Sequence, residues 1–213
     1  MALIQSSIAR KIVMAVTGLF LISFIALHLA VNLLTLVSAD AFNEASHFMG
    51  TNPFIQIMQY VLALGFILHI AMGIQLTMKN RQARPVAYAM NKPAENSSWS
   101  SRNMIVTGLL ILLFLVLHIK DYFWEIKFGD MSMQSDFELV TTLFQNPLYT
   151  FIYLFSFILL GFHLDHGFQS AFQSVGANHY KYTPLIKLLG RIFSVIVAIG
   201  FSAISLYFYL SSL

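Results

Sequence analysis

The chain has 213 residues, 58% of them hydrophobic and only 10% charged, with a mean hydropathy of +0.73 and a formal net charge of +3. So few charges cannot cover the surface of a water-soluble domain, and the composition points to an integral membrane protein. The sequence contains no cysteine, which excludes disulfides, covalent c-type haem and an iron–sulfur cluster held by this chain alone.

Five apolar runs are long enough to cross a bilayer core, which takes about 20 residues. The predicted helices are 12–37, 53–78, 103–123, 147–171 and 184–210. Helices rather than strands are expected, because lipid demands internally closed backbone hydrogen bonding and the runs are long and leucine-rich. Arg10 and Lys11 precede the first run, as in a signal peptide. That run is far longer than the roughly 7–15 residues of a signal core, so it reads as a retained membrane helix. Pro53, Pro147 and Pro184 stand where a first helical turn tolerates proline. The 81–101 loop, with two prolines and Asn-Ser-Ser, reads as a polar connection. One transmembrane domain, 1–213, is expected.

Charge sets the orientation. The N-terminal arm, the 79–102 loop and the 181–191 stretch hold ten of the twelve Lys and Arg residues; Lys120 and Lys127 are the other two. The 37–53 and 120–147 loops hold seven of the nine acidic residues. The positive-inside rule then puts the N-terminus in the cytoplasm and the C-terminus outside. Tyr122, Trp124, Tyr149, Tyr207 and Tyr209 fit an outer aromatic belt, and Trp99, Tyr180 and Tyr182 an inner one. Because the charges cluster at the ends of apolar runs, the basic pI of 9.2 is a topology signal and gives no reason to expect nucleic acid. Soluble substrate chemistry is expected to belong to partner subunits.

One stretch occurs twice: TGLFLISFIALH from Thr17 to His28 and TGLLILLFLVLH from Thr107 to His118. Two further runs share H-x3-G-x-Q, as His69, Gly73, Gln75 and His163, Gly167, Gln169. Depth follows from the helical rise. His28 lies 17 positions past Lys11, about 25 Å at 1.5 Å per residue. His118 lies 16 past Arg102, about 24 Å by the same rule. Both fall in the outer half. His69 comes 10 residues before Lys79, and His163 lies 16 past Pro147 on a helix entering from outside, so both fall in the inner half.

A histidine inside a membrane helix is costly enough to suggest function. Four of them, in two layers within a duplication, suit haem iron, which two imidazoles from facing helices can hold in a bundle core. Gly65 and Gly73 flank His69 at four residues, and Gly167 follows His163 at four, so glycine is expected to make room for a macrocycle on those faces. Zinc fits less well, since each layer lacks third and fourth ligands. A proton relay would bring a carboxylate to mid-membrane, and only Asp165 comes near. His166 competes with His163, but the shared H-x3-G-x-Q pattern favours His163. Asp165 and His166 could orient a propionate or a water. His47 and His179 read as solvated loop residues.

With these residues in place, the chain resembles the cytochrome b membrane-anchor subunit of bacterial succinate dehydrogenases and fumarate reductases, the succinate:quinone oxidoreductases, and their five-helix, two-haem type in particular. The resemblance rests on the S-x-ARK-x2-MAVTGLFL stretch beginning at Ser7, the four helical histidines and the HGFQSAFQ-x2-G run from His166 to Gly176. It implies an all-α five-helix bundle in the cytoplasmic membrane holding two haem b groups. The inner iron would sit on His69 and His163, and the outer on His28 and His118. It implies a flavoprotein and an iron–sulfur subunit on the cytoplasmic face, and menaquinone as electron-carrying substrate. A fumarate reductase anchor that couples proton movement carries a glutamate two residues before the fourth ligand. Gly161 stands there, so no proton path through that helix is expected. Propionate contacts are sought at Ser7, Arg10, Lys11, Gln75, Lys79 and Gln169, where cationic and amide donors can meet carboxylates. Quinone partners are sought at Asn32, Glu44, Gln56 and Asp121. The alternatives are a di-haem subunit of a hydrogenase or formate dehydrogenase, and a transporter whose histidines bind substrate or protons.

Overall fold

The computed structural model describes residues 6–83, 95, 97–131 and 134–213. Among them the chain is helical, and five helices are long and apolar enough to cross a membrane. In chain order, α1 is Ser7–Leu33, continued by a 3-10 turn at Leu34–Leu36. Then come α2 (Ala39–Thr51), α3 (Pro53–Gln82) and α4 (Trp99–Arg102). The third span, α5 (Met104–Phe128), is α-helical to His118, π-helical over Ile119–Trp124 and α-helical again at Glu125–Phe128. It is followed by α6 (Asp136–Phe144), α7 (Pro147–Ser174) and α8 (Thr183–Leu210).

Local signals fix where the helices start. The Ser6 hydroxyl accepts from the Ala9 N–H and opens α1 before Arg10, so the first span begins earlier than its apolar run. Asn52 and Asn146 each precede a proline, and each side-chain carbonyl accepts two N–H bonds of the next turn: Phe54 and Ile55, Leu148 and Tyr149. That is an asparagine cap with proline in the first turn, used once in each half of the duplication.

The side chains are distributed as lipid requires. Leu27, Val16, Ile67, Leu113 and Ile199 are among many large apolar residues that stay exposed. Inside lie small hydroxyl residues, Thr17, Thr107, Thr150, Ser156, Ser194 and Ser205, each bonded to a backbone carbonyl. Small polar residues between membrane helices let backbones approach and satisfy their own hydroxyls locally.

Helix α1 packs on α3, α7 and α8, while α5 packs on α7 and touches α3. The duplicated helices α1 and α5 therefore stand diagonally across a quartet, as do α3 and α7, with α8 against α7 and α1. Two outer connections expected as loops are helical. α2 and α6 join through a Ser46–Asp136 hydrogen bond and through the Phe137 N–H donating to the Asn43 side chain, 2.9 Å. Phe42, Val140 and Phe144 from these helices enter one apolar cluster with Tyr153, Phe157, Phe201 and Ile204, which closes that end of the bundle.

Candidate functional site

The four histidines meet in two diagonal pairs. His28 on α1 faces His118 on α5, ring centroids 5.7 Å apart and planes crossed at 87°. His69 on α3 faces His163 on α7, with centroids 6.4 Å apart and planes at 69°. His163, not His166, is the α7 histidine whose ring meets His69. A metal–imidazole bond of about 2 Å would set two imidazoles on opposite sides of one ion roughly 6 Å apart between centroids. Both pairs are spaced accordingly. Among the described residues no group of three or more His, Cys, Asp or Glu side chains is placed to hold a metal ion. Each layer thus offers two imidazoles, the donor set of a haem rather than of a protein-only metal cage.

The inner pair has a symmetric surround. His69 Nδ1 lies 3.5 Å from the Thr17 hydroxyl and His163 Nδ1 lies 3.3 Å from the Thr107 hydroxyl. The backbone beside each threonine gives the ring room: a Cβ on Gly18 would meet His69 Cε1 at 3.5 Å, and one on Gly108 would meet His163 Cε1 at 3.3 Å. The Thr-Gly that opens each copy of the duplicated stretch therefore cradles the inner histidine of the neighbouring helix. Repetition of Thr-Gly eleven residues before a histidine was the available signal, and only the histidine had been given a use.

At the glycines expected to admit a macrocycle, side chains of neighbouring helices stand close. A Cβ on Gly65 would meet the Phe20 ring at 2.9 Å, so this glycine admits a side chain of α1. Gly73 faces the Met14 methyl and Gly167 the Met104 methyl, both at 3.6 Å, again from matching places in the two copies. The ligand-bearing face of α3 is the face turned to α1, and α1 side chains occupy the space at these positions.

The outer pair is surrounded differently. The Asn32 amide donates to the His28 carbonyl at 2.8 Å and stands 3.5 Å from His28 Nδ1. Phe24 stacks on the His28 ring at 5.3 Å, and Phe201 closes on it at 5.6 Å. His118 is packed by Phe114, Tyr122 and Tyr153, and its Nδ1 is buried without a hydrogen-bond partner. Tyr122, expected in the outer aromatic belt, buries its hydroxyl in the bundle, with its ring against Tyr153. The π-turn carries Asp121 into the bundle, where the Tyr153 hydroxyl donates to it at 3.0 Å and the exposed Lys120 ammonium pairs with it at 3.4 Å. π-turns inside α-helices are frequent at functional sites.

Of the other quinone candidates, Glu44 is exposed on α2. Gln56 is engaged with the Met49 carbonyl, Gln59 and Lys127. On the inner side, Arg10 is buried whereas Ser7, Lys11 and Lys79 are exposed. The Gln75 side-chain carbonyl oxygen is buried without a partner, while the Gln169 amide donates to Asp165 at 3.1 Å. Asp165 also pairs with Arg191 across to α8, 3.8 Å. At Gly161 a Cβ would meet Ala198 at 3.1 Å, so α8 packs directly against α7 there.

Comparison with known proteins accords with this geometry. The family model described as "Succinate dehydrogenase/Fumarate reductase transmembrane subunit" matches residues 77–198, which include His118 and His163. The succinate dehydrogenase cytochrome b558 subunit of Bacillus subtilis (strain 168) is 26% identical over 193 residues, covering 89% of this chain and 86% of that protein. No solved structure matches the chain. A family model covering more than half the sequence, a relative aligned nearly end to end, and a five-span helical bundle lead to one conclusion: the chain belongs to the succinate dehydrogenase/fumarate reductase transmembrane subunit family and is a cytochrome b membrane subunit.

Proposed function

We propose that this chain is the di-haem anchor of a succinate:quinone oxidoreductase, in which His69 and His163 would hold the inner haem b and His28 and His118 the outer. The single observation that carries the reading is the diagonal pairing of four histidines into two layers of the same bundle. When bound, the two haem b groups supply one-electron redox chemistry that links a flavoprotein and an iron–sulfur subunit on the cytoplasmic face to menaquinone in the membrane.

The chain's own side chains then have three tasks. The imidazoles ligate through their basic nitrogens, while the groups beside the ring N–H fix the ring orientation. Phe24, Phe114, Phe157 and Phe201 line the outer layer with apolar surface that excludes water. Basic and amide groups near the cytoplasmic ends of α1, α3 and α7, namely Arg10, Lys11, Lys79, Gln75 and Gln169 with Ser7, are the propionate contacts of this reading. Quinone is assigned to the outer layer, beside His118 and the Asp121–Tyr153 pair.

Single substitution of His28 or His118 by a non-ligand residue should remove the same haem from the reduced-minus-oxidised spectrum and spare the other. If His28 and His69 behaved as a pair, the layered assignment would be wrong. Replacing His166 should leave both haems. Co-purification of a flavoprotein and an iron–sulfur protein, with haem reduction on adding succinate, tests the assembly. Purified complex without a b-type band would end the haem reading altogether.

A further inference from the structure

We propose that Thr17 and Thr107 are positioning residues for the two inner histidines, each accepting the imidazole Nδ1–H so that Nε2 remains the basic nitrogen available to iron. The inference rests on the haem reading above and deepens it.

The argument starts from where each hydroxyl proton goes. Thr17 Oγ1 donates to its own helix, to the carbonyls of Val13 at 2.8 Å and Met14 at 3.1 Å. Thr107 Oγ1 donates likewise to Asn103 at 3.2 Å and Met104 at 3.1 Å. A hydroxyl has one proton and two lone pairs. With the proton committed to the backbone, only a lone pair faces the ring, and the ring nitrogen beside it must be the donor. That fixes the tautomer: Nδ1 carries hydrogen and Nε2 does not. Both threonines are buried, which removes water as a competing acceptor.

The contacts of 3.5 and 3.3 Å lie at the long end for a hydrogen bond. Their weight comes from recurrence. The same Thr-Gly pair meets the same ring edge in both halves of the molecule, with glycine at Cε1 and threonine at Nδ1. The outer pair has nothing equivalent. The Asn32 amide there is a donor turned to the His28 carbonyl, and His118 Nδ1 has no partner.

The test uses the assembled, haem-loaded complex with Thr17→Val, Thr107→Val and the corresponding Thr→Ser variants. Valine keeps the shape and loses the acceptor; serine keeps the acceptor. An imidazole that no longer donates from Nδ1 is a poorer electron donor through Nε2, so the inner haem potential should rise in the valine variants. Its low-spin ferric EPR signal, which follows the angle between the imidazole planes, should move, while the outer signal stays. Inner-haem retention should fall on the order of tenfold in either valine variant, with serine restoring all three readouts. Selective loss of the inner haem in valine but not serine variants supports the proposal as well. Unchanged potential and EPR in a valine variant with full haem content overturns it. So does equal loss of haem from valine and serine variants, or an effect confined to the outer haem. A parent complex without two b-type signals would instead sink the functional reading.

Discussion

A carboxylate buried near the end of a membrane helix must keep its partners, and Asp121 has two, the Tyr153 hydroxyl and the Lys120 ammonium. Tyr153→Phe removes a buried hydrogen bond to a carboxyl group and should cost about 2 kcal/mol. If the proposed two-haem reading holds, the cost would be read as a lowered melting temperature of the outer b-type band, with the inner band holding longer. A second residue-scale prediction separates two glycines that look alike in the sequence. Gly65→Ala drives a methyl into the Phe20 ring and should destabilise the α1–α3 contact by about 1–3 kcal/mol. Gly73→Ala meets only the end of a flexible methionine at ordinary distance and should be tolerated. Helical periodicity told which face of α3 carries His69 and both glycines. It could not tell that α1 fills that face, because the identity of a neighbour is not contained in the period of one helix. Burial of Asp121 was hidden for a related reason: it depends on a change of backbone hydrogen-bond register that no residue type announces.

Among the elements, the membrane spans were legible because twenty apolar residues in a row leave few alternatives. The outer helices α2 and α6 were not, since each is short and buries only one to three side chains. Their start signals can be recognised afterwards. Ser135 and Glu138 form a reciprocal capping box at the head of α6. The Ser135 N–H and hydroxyl both donate to the Glu138 carboxylate, in that order of effect, and hold its carboxyl below the usual value of 4.5. A lowered folded pKa means the unfolded segment binds the proton more readily. The box therefore contributes fully above pH 4.5 and is lost as pH falls through the lower folded value. Amide exchange in α6 should accelerate over that acid window, beyond the intrinsic pH dependence, and Glu138→Gln should abolish the extra change. For α3 and α7, Asn52→Ala and Asn146→Ala each remove an acceptor for two N–H groups and should cost about 1 kcal/mol. Similar losses from the two variants would show that both halves use the cap equally; a null effect of either would show that proline alone sets the start.

For the molecule as a whole, the proposed topology has a direct test, because a chain with no cysteine accepts a single reporter anywhere. An impermeant thiol reagent should label Leu213→Cys from outside intact cells and Gln82→Cys only after the membrane is opened. The reverse pattern would invert the bundle and exchange the two layers. Loop charge is what points to this orientation, and the duplication is what singles out the four histidines. What neither contained was the diagonal arrangement of the quartet, which decides that matching helices face each other across the middle. The spacing inside the duplicated stretch has its own consequence. Thr17 and His28 are eleven residues apart, as are Thr107 and His118. Eleven residues are close to three full turns, about 16 Å of rise. Each copy is thus a ruler with one mark on the inner layer and one on the outer, both on the same edge. A one-residue insertion between the marks would swing one of them by about 100°. The gap between the two layers can therefore change only by whole turns, and in both rulers at once.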